Sequence, residues 1–119
     1  MKNKLAIIEE SYIGRIPPQA IEVEEALLGA LMLESDTISE ILDIVDVQSF
    51  YKNEHQKIFS IIKSIYQNKK PVDLLTVTQE IKENDLLEEI GGALYITQLT
   101  RKVASAANIE YYARIIAEK

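Results

Sequence analysis

Pro17-Pro18-Gln19-Ala20-Ile21-Glu22-Val23-Glu24-Glu25-Ala26-Leu27-Leu28-Gly29-Ala30-Leu31-Met32-Leu33 is the stretch on which the fold turns. It reads as a helix. Proline is tolerated in a first turn because the missing N–H had no intrahelical partner anyway. Glu22, Glu24 and Glu25 follow near the N-terminal end, where the helix dipole favours negative charge. Without partners in the sequence, they read as surface charge rather than as paired catalytic carboxylates. From Ala26 to Leu33 no residue is charged. A helix that is apolar nearly all round is buried by neighbours on several sides. The run is also far shorter than the ~20 residues needed to span a bilayer. It is therefore expected as the central helix of a globular core.

Working outward, the rest of the chain supplies helices to cover it. Residues 1–16 mix apolar and charged residues without a sustained period and read as a flexible arm. Thr37-Ile38-Ser39-Glu40 has the form of a capping box, followed by Ile38, Ile41, Leu42 and Val45 at helical spacing. Phe50-Tyr51 is a short connection whose two aromatics are expected to plug the core. Asn53, with Gln56 three residues on, predicts the cap of a third helix, whose stripe holds His55, Ile58, Phe59, Ile62, Ile65 and Tyr66. Asn68-Lys69-Lys70-Pro71 ends it.

Asp73 predicts the cap of a shorter helix through Leu74, Val77 and Ile81 to about Asn84. Val72, Leu74, Val77 and the threonines at 76 and 78 also fit a strand, but the Val77–Ile81 spacing favours helix. Leu86 and Leu87 fall in a connection closing with Gly91-Gly92. A fifth helix carries Ala93, Tyr95, Ile96 and Leu99. A sixth, capped by Ser105, runs from Ala106 to Lys119 with Ile109, Tyr112, Ala113 and Ile116 on one face. It lacks a glycine, proline or asparagine terminator, so the chain is expected to be cut inside a longer helix. The expected architecture is all-α, a compact bundle of about six helices. Its parts are an arm at 1–16, a helical head at 17–104 and a terminal helix at 105–119.

Composition narrows the function. The 119 residues are 47% hydrophobic and contain no cysteine, which removes disulfides and thiol chemistry. One histidine cannot build a multi-histidine metal site. No signal-peptide pattern is present, so a cytoplasmic location is expected. The net charge is −6, and residues 1–60 carry 5 basic and 11 acidic side chains. Such a chain repels phosphate backbones, so nucleic acid is not its expected direct partner. Gly91-Gly92 lacks the G-x-x-x-x-G-K-[ST] pattern that cradles phosphates. His55 has a possible role as a general base, but its place on an apolar stripe favours a hydrogen-bonded structural histidine. Lys69-Lys70 and Arg101-Lys102 read as helix-end charges. The stripe of the terminal helix must bury itself against the head or against another chain, and the residues leave that open.

Ile16-Pro17-Pro18-Gln19-Ala20-Ile21-Glu22-Val23-Glu24-Glu25-Ala26-Leu27-Leu28-Gly29 resembles the opening of bacterial replicative DNA helicases of the DnaB type. Phe50-Tyr51, His55-Gln56-Lys57-Ile58-Phe59, Pro71-Val72-Asp73-Leu74 and Gly91-Gly92-Ala93-Leu94-Tyr95 follow in the family's order. So does Ser105-Ala106-Ala107-Asn108-Ile109-Glu110-Tyr111-Tyr112-Ala113-Arg114-Ile115-Ile116. Val23 departs from the family's usual alanine.

The resemblance runs from about Ile16 to Lys119 and covers the helicase's N-terminal domain only. ATP and Mg belong to the motor domain, which is absent from this sequence. What it implies is a helical head followed by a helical hairpin, pairing into dimers and a collar of six on which the C-terminal domain of primase docks. The terminal helix would then be the start of the hairpin. Ile109, Tyr112, Ala113 and Ile116 would be dimer surface, and Tyr95 and Tyr111 candidates for primase docking. On that reading Ile116→Asp reduces self-association and leaves the head's helical signal intact. The rival readings are the helicase-binding domain of a primase, a single-strand DNA binder and a small enzyme. The resemblance, the charge and the missing nucleophile–base–metal set each disfavour one of them.

Overall fold

The computed structural model describes residues 18–103 and 108–118. The described chain begins with α1 (Pro18–Leu33), a 3-10 turn (Ser35–Thr37), α2 (Ile38–Leu42) and a second 3-10 turn (Val47–Ser49). It continues with α3 (Asn53–Gln67), α4 (Leu74–Glu83), α5 (Leu87–Ile90), α6 (Gly92–Arg101) and α7 (Ile109–Ala117). No strand occurs among the described residues, so the helical reading of 74–83 is correct. The connection expected at Leu86-Leu87 is instead the short helix α5. The arm at 1–16, Pro17 and the cap assigned to Ser105 lie outside the described residues.

α1 is the central helix. Leu27, Leu28, Ala30 and Leu31 are wholly buried, and Ala26 and Met32 nearly so. Each buried leucine of this kind stabilises the fold by ~2 kcal/mol relative to exposure. α6 and α7 are its main neighbours, with α3 and α4 completing the enclosure. The close crossing of α1 and α6 depends on Gly29, where a Cβ would lie 2.0 Å from the Leu99 carbonyl oxygen.

Several local signals resolve differently from expectation. Thr37 does not cap α2, because the 3-10 turn before it already satisfies the backbone there. The Thr37 N–H donates to Glu34 O at 3.1 Å and its hydroxyl to the same oxygen at 2.8 Å. Asn53 is the first residue of α3 rather than its cap; Lys52 holds the cap position with extended backbone. Gln56 sends its amide to the Phe50 carbonyl at 2.7 Å. Phe50 plugs the core, paired with Phe59 at 4.9 Å between ring centroids, whereas Tyr51 and Tyr66 are exposed. Asp73 does cap α4, accepting from the Thr76 N–H at 2.8 Å while the Thr76 hydroxyl accepts from the Asp73 N–H at 2.9 Å.

α3 and α4 end alike. Lys69 and Asp85 adopt left-handed backbone, with φ of 61° and 59°. The Lys70 N–H reaches back to Ile65 O and the Leu86 N–H to Ile81 O, both at 3.1 Å. This is the Schellman pattern, closed here by residues other than glycine.

Candidate functional site

An acid and a histidine, each on an otherwise apolar stripe, meet inside the molecule. Glu24 shares its face of α1 with Ala20, Leu27, Leu28 and Leu31, and is only 2% exposed. The surface role read for it from sequence is thus incorrect. Nor does it serve the helix dipole, whose influence fades within the first turn, because that turn carries no acidic residue. Glu22 alone of the three acids is exposed.

The Glu24 carboxylate reaches the segment that leads into α3. Oε2 accepts from the Tyr51 N–H at 2.7 Å and Oε1 from the Lys52 N–H at 3.4 Å. His55 Nδ1 lies 2.7 Å from the same Oε1, and the histidine is wholly buried. With a carboxylate facing Nδ1, that nitrogen carries the proton. His55 Nε2 then meets the Tyr95 hydroxyl at 2.7 Å. That hydroxyl also lies 3.1 Å from Glu25 Oε2 and 3.5 Å from Lys52 Nζ. Lys52 Nζ sits 5.0 Å from the centre of the Tyr95 ring, within cation–π range. Lys102 Nζ closes the set, 3.5 Å from Glu25 Oε1.

The arrangement ties α1, the approach to α3, α3 itself and α6 together through one buried carboxylate and one phenol. Burial and the neighbouring Glu25 carboxylate push Tyr95 well above the ordinary tyrosine value, so it remains a phenol and a hydrogen-bond donor. It does not supply a phenolate base. Among the described residues no group of three or more His, Asp or Glu side chains is placed to hold a metal ion. The geometry positions helices and fixes side chains; it does not resemble a nucleophile poised beside a base. His55 is structural, as its stripe suggested.

The terminal helix requires a correction. Ile109, Ala113 and Ile116 are buried against the chain's own α1 and α2, and Tyr112 is half-buried beside them. They are part of the head's core rather than a free dimer surface. The physical reason is that α1 is uncharged from Ala26 to Leu33, apolar nearly all round, and needs a neighbour there. Tyr111, by contrast, is 65% exposed, with half-buried Ile115 one turn further along. Tyr95 is half-buried in the network above. The two candidate docking tyrosines thus differ in setting, one locked and one free.

Sequence reasoning missed Glu24, Glu25 and Lys52. A signal existed for Glu24: spacings of four, three, four and seven from Ala20, Leu27, Leu28 and Leu31 put it inside the buried stripe. An acid there needs a buried partner, and His55 occupies the equivalent place on α3.

Comparison with known proteins agrees with this helical head. The family model described as DnaB-like helicase N terminal domain matches residues 16–118. The Replicative DNA helicase DnaB of Rhodothermus marinus is 49% identical over 106 residues, covering 89% of this chain and 11% of that protein. Its counterpart in Geobacillus stearothermophilus is 45% identical over 112 residues, covering 94% of this chain and 25% of that protein. The chain therefore spans a quarter or less of these two relatives. The crystal structure of the N-terminal domain of DnaB helicase from Mycobacterium tuberculosis superposes with a TM-score of 0.81. It is 38% identical, covering 87% of this chain and 75% of that one.

Proposed function

The chain belongs to the family of DnaB-like helicase N-terminal domains, and from that membership we propose that it acts in DNA replication as the non-catalytic N-terminal domain of a hexameric replicative helicase. In this role it serves as an oligomerisation collar and as a docking platform for the C-terminal helical domain of primase. The observation that carries the reading is the family match across 16–118. ATP and Mg chemistry belong to the motor domain of such a parent, which works in the cytoplasm.

The self-associating face is reassigned. Because Ile109, Ala113 and Ile116 are buried in the head, the contact falls to the outward side of α7, carried by Tyr111 and Ile115. Tyr95 supports docking indirectly, by fixing the relative placement of α1, α3 and α6, while Tyr111 is free to touch a partner.

Calorimetric titration of the chain with a cognate primase C-terminal domain tests the docking role. Saturable binding that weakens at least tenfold in Tyr111→Ala supports it. Absence of binding both to this chain and to a full-length parent helicase overturns it.

A further inference from the structure

A groove runs along the side of the head where α3 and α4 lie together. Its floor is Ile65 and Pro71, and one wall is the outer face of α4, from Leu75 through Gln79 and Glu80 to Glu83. Its volume is about 500 Å³. Leu75 stands over it 77% exposed, the most exposed large apolar side chain among the described residues. Beyond Pro71 the groove opens into a second hollow of about 430 Å³, lined by Lys69, Lys70 and Tyr66. The cap of α4 at Asp73 and the Schellman end at Asp85 hold both ends of the α4 wall in place.

The charges around the groove are sorted. Lys69 and Lys70 stand before α4, and Glu80 and Glu83 lie towards its C-terminal end, with Leu75 between. Among the described residues none of these charges meets an opposite one. The nearby groups that would neutralise them are engaged elsewhere. Asp73 accepts from the Thr76 N–H at 2.8 Å, and Lys82 lines a separate hollow with Asp85 and Glu88. Gln79 Nε2 donates to Glu83 Oε2 at 3.0 Å, which orients that carboxylate without cancelling its charge. An apolar hollow with unpaired cations at one end and unpaired anions at the other calls for a complement with acid, apolar anchor and base in that order. From residue 75 to 83 α4 rises about 12 Å, a length that a helix of about three turns spans. A helix carries the order readily, because its dipole favours acids in the first turn and bases in the last.

We propose that this groove docks an amphipathic helix of a different protein, acidic in its first turn, basic in its last and aliphatic between. The aliphatic anchors enter beside Leu75, over Ile65 and Pro71. The acids face Lys69 and Lys70 and the bases face Glu80 and Glu83, so the docked helix runs parallel to α4. Turning it round sets like charge against like at both ends, which fixes its direction. One helix face buries an area in the small class of interfaces, so the dissociation constant is expected on the order of 0.1 mM. The groove shares no residue with α7, and its occupant leaves Tyr111 free.

NMR titration of the full chain with two synthetic, end-blocked peptides of about 14 residues tests the proposal. One has Glu-Glu in its first turn, leucines at two central positions on an alanine background and Lys-Lys in its last turn; the other has Glu and Lys exchanged. The first is expected to shift the amide signals of residues 70–83 saturably, and more weakly at high salt. The second should bind about tenfold more weakly or not at all. Leu75→Glu abolishes binding. The variant combining Lys69→Glu, Lys70→Glu, Glu80→Lys and Glu83→Lys reverses the preference between the peptides, which a merely sticky surface would not do. Unchanged amide signals from α1 and α6 confirm that each variant is folded. No shift up to about 1 mM peptide, equal binding of both peptides, or no reversal in the charge-exchanged variant overturns the proposal. So do shifts at 70–83 that grow with the chain's own concentration and are untouched by peptide, which assign the groove to another copy of this chain.

Discussion

Glu24 Oε1 lies 2.7 Å from His55 Nδ1, and both side chains are removed from solvent. The carboxylate also accepts the N–H groups of Tyr51 and Lys52, so one buried acid satisfies three donors. Removing it leaves an imidazole N–H and two backbone N–H groups unpaired in a low-dielectric setting. Glu24→Ala is expected to cost about 3 kcal/mol. Glu22→Ala, at an exposed site on the same helix, should stay within about 0.5 kcal/mol of wild type. Urea unfolding of the two variants side by side checks the difference, and equal midpoints would falsify the burial argument.

That pair also shows where sequence stops being informative. The limits of α1 and α4 were legible because proline, aspartate and the apolar period act within a few residues of where they stand. The Asp73 cap formed as read. Glu24 was harder, because Glu22, Glu24 and Glu25 look alike in a short window. Its place on the apolar stripe of α1 singles it out only over two turns, and the histidine that pairs with it stands 31 residues later. Thr37 and Asn53 carried cap signals that the chain did not use, since a 3-10 turn and the Gln56–Phe50 bond had already fixed the local backbone. For α7 the amphipathic stripe was visible, but what it faces was decided by the uncharged Ala26–Leu33 run of α1, which needs cover on several sides.

Tyr95 gives a prediction with a sign in pH. Burial first, then the Glu25 carboxylate, raise its proton release above the ordinary value of 10. The unfolded chain loses that proton first, so the native state binds more protons once pH passes about 10. This part of the stability is fully present below that pH and is lost as pH rises further. Tyr95→Phe removes the phenol that ionises late, visible as a missing late component in the phenolate absorbance titration. It also flattens the alkaline fall in stability. At neutral pH the variant should cost about 1–2 kcal/mol, because His55 Nε2 loses its partner. An unchanged titration curve would count against the placement.

Gly29 is a packing glycine. A methyl group there meets the Leu99 carbonyl at 2.0 Å and the Val103 side chain at 3.0 Å. The first of these is backbone and cannot swing aside, so α1 and α6 must separate. Although alanine is the better helix former by about 1 kcal/mol, Gly29→Ala should destabilise by about 3 kcal/mol or more. A melting temperature at or above that of wild type would show that α6 sits further from α1 than described.

The helix ends at Lys69 and Asp85 are places to gain stability. Both residues hold φ near 60°, a region that costs a side chain roughly 1 kcal/mol and glycine little. Lys69→Gly and Asp85→Gly should each stabilise by about 0.5–1 kcal/mol, less the extra chain entropy glycine adds to the unfolded state. The two sites close different helices, so their effects should add in the double variant. Guanidinium midpoints measure this directly.

Ile116→Asp separates a core residue from an interface residue. As dimer surface, Ile116 would tolerate the change with the head intact and only assembly reduced. The structure leaves it 2% exposed, with Ile109 and Ala113 on the same face of α7. An aspartate there places an unpaired carboxylate against apolar neighbours and removes a buried side chain. The expected loss is about 4 kcal/mol, seen as a lower melting temperature with helical signal lost from the head at ordinary temperature. Tyr111→Asp, on the exposed side of the same helix, should retain the wild-type melting temperature within a few degrees. If Ile116→Asp instead melts like wild type and only changes sedimentation, α7 does not pack on α1 in solution. The inner stripe would then be the dimer face after all.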